Sequence, residues 1–369
     1  MILDLDSHLR EEYFLDEVYK LDGQFASSTP IRLIDGEPYE RVFEMPWKGR
    51  DHGAKSPKTY DHTYMYNPKD NWRGGDIARR QQAGYDMEFR LKGNAVEGVD
   101  KQFIFPTGIS TPAMVEGELG HQLARAYNNW VRNLVRGHED RLYPVGIMPA
   151  GCPEQMASEL RRTVTDLGFK AAHLVCFHGE RNLDHPSFFP FYEAAQELNV
   201  PLFCHPNGHM GFITERFSSF FPMHVLGRPT NCTQALVALV CGGVFERFPK
   251  LKVVFFECSA EWPLYWMHRM DDDWEWAKDV QDRHMEIPLS MAPGDYIRRN
   301  CYVTMEADEG NITQSLQEVG EEHILAATDY PHFDSEFPHT ISAIRARTDI
   351  TPKQKEMILG KNAEALLGW

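Results

Sequence analysis

The sequence lacks any run of 18 apolar residues, so no segment of it reads as a membrane span. No G-x-G-x-x-G and no G-x-x-x-x-G-K follows an apolar run, which removes the usual phosphate cradles of nucleotide-binding folds. There is no C-x-x-C pair. The seven cysteines (Cys152, Cys176, Cys204, Cys232, Cys241, Cys258 and Cys301) are odd in number and mostly sit in apolar runs, as reduced core thiols do. Basic residues are scarce, with 38 Lys and Arg against 54 Asp and Glu. The resulting formal charge of −16 repels phosphate backbones and argues against nucleic acid as the main partner. The opening Met1-Ile2-Leu3-Asp4-Leu5-Asp6 puts acids where a secretory leader carries basic and then apolar residues. Reduced thiols and this opening together predict a cytoplasmic protein.

What is present is ordinary globular composition, 42% hydrophobic and 25% charged over 369 residues, a length that one barrel of alternating strands and helices can hold. Eight short apolar runs recur, at Ile2–Asp6, Lys101–Pro106, Leu142–Met148, Lys170–Phe177, Pro201–His205, Leu251–Glu257, Tyr302–Glu306 and Ile324–Asp329. Helical patterns separate most of them, at Glu116–Arg136, Pro153–Leu167, Ser187–Leu198, Cys232–Phe248 and Trp262–Val280. A last helix, Thr351–Leu367, opens with an N-cap threonine followed by proline at the first helical position. An open doubly wound sheet could also use eight strands, but its nucleotide site is missing. The pattern therefore predicts an α/β chain folded as a (β/α)8 TIM barrel, one domain over residues 1–369.

Residues 12–93 separate the first two strands by far more than a normal connection, and read as a lid inserted over the barrel mouth. Between Arg41 and Arg80 this stretch carries nine Lys and Arg against five Asp and Glu. Such a lid could receive an anionic substrate through Lys48, Arg50, Lys55, Lys58, Arg79 and Arg80, although a solvated basic surface has the same composition.

Chemistry in this fold sits where the strands end. The first run ends in Asp6-Ser7-His8, where alternation points Asp6 and His8 to one side, and Glu11 follows three residues on. His205, Glu257, Glu306 and Asp329 end the fifth to eighth runs. A lone acid after a strand is commonly an N-cap or an ion-pair partner. Five strands delivering such groups to one rim is another matter, because burying neighbouring carboxylates is prohibitive unless cations neutralise them. A metal centre is expected. His332 could stand behind it or hold a backbone carbonyl, and His178 could line the pocket or cap a loop. The aromatic series Trp262, Tyr265, Trp266, Trp274 and Trp276 reads as core and interface packing, with a homodimer as one use for it. Cys204 and Cys258 flank ligand candidates but point the other way.

At these residues the chain resembles the amidohydrolase superfamily, in its branch of amidohydrolase-related decarboxylases. The segments that carry the resemblance are Asp4 to His8, Pro186 to Ala195, Phe203 to Pro206, Glu257 through Trp262-Pro263, and Thr328 to His332. The resemblance implies metal ligands at an H-x-H after strand one, histidines after strands five and six, and an aspartate after strand eight. His8, His205 and Asp329 match; Asp6 stands for the first histidine and Glu257 for the strand-six histidine. The donor set becomes richer in oxygen, which favours iron or manganese over zinc.

Two histidines with at least four carboxylates drawn from Asp6, Glu11, Glu257, Glu306 and Asp329 also match the ligand tally of di-iron carboxylate proteins. The altered pattern is similar to that of TIM-barrel non-haem di-iron monooxygenases, a group that includes a diterpenoid hydroxylase of antibiotic biosynthesis. That resemblance implies two irons held by Asp6, His8, Glu11, His205, Glu257 and Asp329, with Glu306 in reserve. It also implies hydroxylation of an unactivated C–H bond with dioxygen, an external electron donor and a small-molecule, CoA-linked substrate. The alternative keeps the parent chemistry: one divalent metal, zinc or manganese, serving hydrolysis or non-oxidative decarboxylation. A catalytically silent barrel with a structural cation is the remaining reading.

Overall fold

A computed structural model describes residues 1–10, 20–21, 23–28, 81–107, 115–206, 220–332 and 334–369. Each of the eight apolar runs contains or overlaps a strand: β1 Leu3–Asp4, β2 Lys101–Ile104, β3 Leu142–Pro144, β4 Ala172–Leu174, β5 Leu202–Cys204, β6 Val253–Phe255, β7 Cys301–Met305 and β8 Ile324–Ala326. They are parallel and paired in chain order, β1 to β3 in one ladder and β4 to β8 in another. Two bridges close the ring. Gly146 pairs with Ala172 between β3 and β4, and Ser7 pairs with Tyr330 beyond β1 and β8. The chain is a (β/α)8 barrel, as the alternation of runs predicts.

Most strands are shorter than the apolar runs, and beyond β1 isolated bridges at Ser7 and His8 carry the pairing to the rim. Alternation directs Leu3, Leu5, Phe103, Phe105, Phe203 and Val254 into the barrel, where Phe103 and Phe203 meet with ring centroids 5.4 Å apart. Ala363 and Leu366 of the C-terminal segment join this cluster. That segment begins at Thr351, whose hydroxyl accepts from Gln354 N at 3.2 Å while Gln354 Oε1 accepts from Thr351 N at 2.8 Å, a reciprocal cap.

The surrounding helices are α1 Met87–Glu97, α2 Glu118–Leu134, α3 Pro153–Thr165, α4 Phe189–Leu198, α5 Phe220–Cys241, α6 Trp262–Ala277, α7 Pro293–Asn300, α8 Ile312–Glu318 and α9 Thr340–Ala346. Helix α1 begins inside the stretch read as an insertion, capped by Asp86, whose carboxylate accepts from Phe89 N at 2.9 Å. Trp262, Trp266 and Trp274 of α6 pack against the outer core, whereas Tyr265 and Trp276 stay exposed. Cys176 and Cys204 lie buried with sulfurs 3.7 Å apart in the outer core, as free thiols. Among the described residues no helix is long and apolar enough to cross a membrane.

Candidate metal centre

Asp6 and His8 follow β1, His205 follows β5, Glu257 follows β6 and Asp329 follows β8. Two of these backbones are unusual: Glu257 and Asp329 have φ of 57° and 53°, a left-handed conformation that costs a non-glycine residue energy. Such strain persists only where the surroundings fix it. Asp329 is tied by its N–H to Asp6 O at 3.0 Å, so the first and last ligand segments hold each other.

The donor atoms converge. His8 Nε2 lies 3.3 Å from Asp6 Oδ1, 3.3 Å from Asp329 Oδ1 and 4.0 Å from Glu257 Oε1, and His205 Nε2 lies 3.5 Å from Glu257 Oε1. Asp6, His8, His205 and Glu257 each bring one donor atom within 4.8 Å of the others, and so do His8, Glu257, Asp329 and His332. His8 Nδ1 donates to Pro106 O at 3.1 Å and His205 Nδ1 to Pro206 O at 3.1 Å. Both imidazoles therefore keep Nε2 for the carboxylate cluster, the nitrogen a metal would take in place of a proton. Buried Asp6 Oδ1, His8 Nε2, His205 Nε2 and Asp329 Oδ1 have no hydrogen-bond partner among the described residues. Orphaned polar atoms gathered in this way are what a cation would satisfy. These residues fit a divalent metal.

The bare side chains report the same crowding. Burial and the neighbouring Glu257 push the Asp329 carboxyl well above its ordinary value. Burial disfavours a charged His205, but Glu257 more than offsets it and holds the imidazole up at about 9. Glu257 is held well below its ordinary value against the effect of burial, first by Arg228 and then by His205. Arg228 was not singled out by the sequence. It extends from α5, with Nε donating to Glu257 Oε2 at 2.6 Å and Nη1 lying 3.8 Å from Asp334. His224, one turn earlier, pairs with Asp334 at 3.2 Å. His332 stands behind Asp329, Nδ1 to Oδ1 2.7 Å, and stacks on His8 with centroids 4.0 Å apart. A cavity of 470 Å³ opens on this cluster, lined by Asp6, Arg228, Glu257, Glu306, Asp329 and Asp334 among others.

Of the other residues singled out from the sequence, Glu306 lines the cavity but brings no donor atom into the cluster. His178 brings no donor atom into the cluster; it pairs with Glu116 at 2.7 Å, which also holds Arg181. Glu11 and the lid residues Lys48, Arg50, Lys55, Lys58, Arg79 and Arg80 lie outside the described residues.

The amidohydrolase family model matches residues 81–369, most of the chain and all of its ligand segments beyond β1. The chain belongs to the amidohydrolase family. Within that family it is similar to 2-amino-3-carboxymuconate-6-semialdehyde decarboxylase of Dictyostelium discoideum, 26% identical over 286 residues, 77% of this chain and 77% of the relative. Gamma-resorcylate decarboxylase of Polaromonas sp. is 25% identical over 246 residues, covering 63% of this chain and 73% of the relative. Among solved structures, 5-carboxyvanillate decarboxylase of Novosphingobium aromaticivorans, with bound manganese, superposes with a TM-score of 0.73 at 20% identity, covering 100% of this chain and 97% of that one.

These amidohydrolase relatives are decarboxylases, and they overturn the expectation of a di-iron monooxygenase. With it go the oxidoreductase class, the C–H hydroxylation of a CoA-linked diterpenoid, the electron donor and the place in antibiotic biosynthesis. The expectation misled because a tally of carboxylates ignores how each is engaged. Glu257 gives one oxygen to Arg228, and Glu306 stands apart in the cavity wall. The alternative, the parent chemistry of the family, fares better.

Proposed function

We propose that this amidohydrolase is a metal-dependent, non-oxidative decarboxylase of a small aromatic or unsaturated carboxylic acid. The observation that carries the reading is the pair of imidazoles: His8 and His205 each spend Nδ1–H on a carbonyl and aim Nε2 at buried carboxylates in the wall of a ligand-sized cavity. Asp6, His8, His205 and Asp329, with Glu257 Oε1, would hold one divalent cation, and manganese, the ion bound in a decarboxylase of this fold, suits their mixed nitrogen and oxygen donors. When bound, it supplies Lewis-acid polarisation of substrate oxygens.

The rest falls to the chain's own side chains. Loss of CO2 leaves the electron pair of the broken C–C bond on carbon, and a proton must replace it; no oxidant or reductant is consumed. Asp329 lines the cavity and His332 lies 2.7 Å behind it, so the pair is placed to deliver that proton towards the cavity. Arg228 beside Glu257 keeps a fixed positive charge at the same wall. The single-domain organisation, with the stretch that precedes α1 as a lid over the barrel mouth, belongs to this reading.

The test uses protein stripped of metal and reloaded with Mn2+, without dioxygen or reductant. It is offered gamma-resorcylate, 5-carboxyvanillate and 2-amino-3-carboxymuconate-6-semialdehyde, with CO2 release as the readout. Release from at least one of them, lost on chelation and restored by Mn2+, is expected. His205→Ala should lower both bound Mn2+ and turnover. Absence of Mn2+ binding by the wild-type chain, or metal-loaded protein silent on all three acids, would overturn the reading.

A further inference from the structure

Behind the ligand segments, between the barrel wall and α1, lies a second buried polar cluster. Asp4 and Arg90 are both fully buried. Asp4 does not face the barrel interior with Leu3 and Leu5; it turns outward beside its strand partner Gln102. Its Oδ1 accepts from Asp6 N at 3.2 Å and Thr328 N at 2.9 Å, and its Oδ2 from Thr328 Oγ1 at 2.6 Å and Gln102 Nε2 at 2.8 Å. Gln102 Oε1 in turn accepts from Arg90 Nη1 at 2.8 Å. Arg90 also donates to Ser7 Oγ at 2.9 Å, to Ala83 O at 2.8 Å and, through Nη2, to His8 O.

Burying an arginine and a carboxylate costs several kcal/mol per ion unless each is well hydrogen-bonded, so such a cluster is retained only where its geometry is satisfied throughout. Here every contact but that to Ala83 ends on a residue of a ligand segment, on Gln102 between them or on Ser7. Asp4 holds the N–H of the ligand Asp6 and both the N–H and hydroxyl of Thr328, the residue before Asp329. Arg90 holds the carbonyl of the ligand His8 and the hydroxyl beside it. One amide, Gln102, joins the two halves.

We propose that Arg90 and Asp4, joined through Gln102, are positioning residues that set the β1 and β8 ligands of the metal centre from outside the barrel. The proposal rests on the metal-dependent reading above. Only a planar fork with five donors can serve Gln102, Ser7, Ala83 and His8 together, so lysine is a poor substitute at position 90.

The experiment compares Mn2+ affinity and the electron paramagnetic resonance spectrum of bound Mn2+ in the full-length wild type, Arg90→Lys and Gln102→Leu. Asn300→Ala serves as control, since Asn300 is buried at the end of α7, on the carbonyls of Leu251 and Pro249 and away from the candidate ligands. Arg90→Lys and Gln102→Leu are expected to weaken Mn2+ binding about 10- to 100-fold and to alter the spectrum, while Asn300→Ala lowers the melting temperature and leaves affinity unchanged. Gln102→Leu leaves Arg90 on Ser7 and His8, and keeps the test readable should Arg90→Lys fail to fold. Wild-type affinity in both variants, or an equal loss in Asn300→Ala, overturns the positioning role alone. A wild type that takes up no Mn2+ overturns the decarboxylase reading and this proposal with it.

Discussion

Glu309 shows at the scale of one residue how the cavity wall is built. It reaches from the β7 loop to accept from Ala260 N at 2.9 Å and Glu306 N at 2.6 Å, which ties it to the loop that carries Glu257. Burial raises its carboxyl from the ordinary 4.5 to about 8. The folded chain therefore holds this proton more tightly than the unfolded chain. The stabilisation is complete below about pH 4.5 and is lost as pH rises through 8. Glu309→Gln keeps an accepting oxygen and removes the titration. Urea unfolding at pH 5 and pH 8.5 should show the wild type losing stability relative to Glu309→Gln as pH rises. A difference that does not change with pH would mean that Glu309 does not hold its proton in the fold.

Helix α1 carries the corresponding argument at the scale of an element. Gly93 lies mid-helix, where alanine ordinarily gains roughly 0.5–1 kcal/mol over glycine. Here a Cβ would come within 2.6 Å of Tyr330 Oη, and Tyr330 is buried against Phe337 with ring centroids 4.3 Å apart. Gly93→Ala is therefore expected to destabilise by about 1–3 kcal/mol, because overpacking outweighs propensity. A raised unfolding midpoint would show that Tyr330 yields freely. The same helix marks the limit of what sequence reveals. All eight strands were legible as short apolar runs, and the candidate ligands at their ends as polar residues closing those runs. Helix α1 was not, because it buries Arg90, Asn94 and Glu97 along with Met87 and Leu91 and so offers no clean apolar stripe. Arg228 escaped for a different reason: Pro229 lies inside α5, and a proline argues for a helix start beyond it, which left residues 220–231 without an assignment. The positions at which Glu257 and Asp329 become one site depend on backbone turns that no apolar pattern encodes.

At the scale of the whole molecule, a chain of formal charge −16 gathers Asp6, Glu257 and Asp329 at the mouth of its barrel, with Arg228 as the fixed cation against Glu257. A bound cation should then stabilise the fold, by about 2.7 kcal/mol when free Mn2+ is 100-fold above its Kd. Removing one of the converging acids should act with opposite sign in the two states. Asp329→Asn is suited to the test because asparagine tolerates the positive φ at this position, so the backbone strain is unchanged. The raised value of Asp329 means that the metal-free wild type resists its ionisation, a burden that grows as pH rises above the ordinary 3.8 and that asparagine does not carry. At pH 8 the metal-free variant should therefore melt above the metal-free wild type. With saturating Mn2+ the order should reverse, since the variant has given up a charged oxygen that the cation would use. If metal-free Asp329→Asn melts below the wild type, the carboxylates are not crowded enough to need a cation, and the convergence of ligand atoms would be a feature of packing alone.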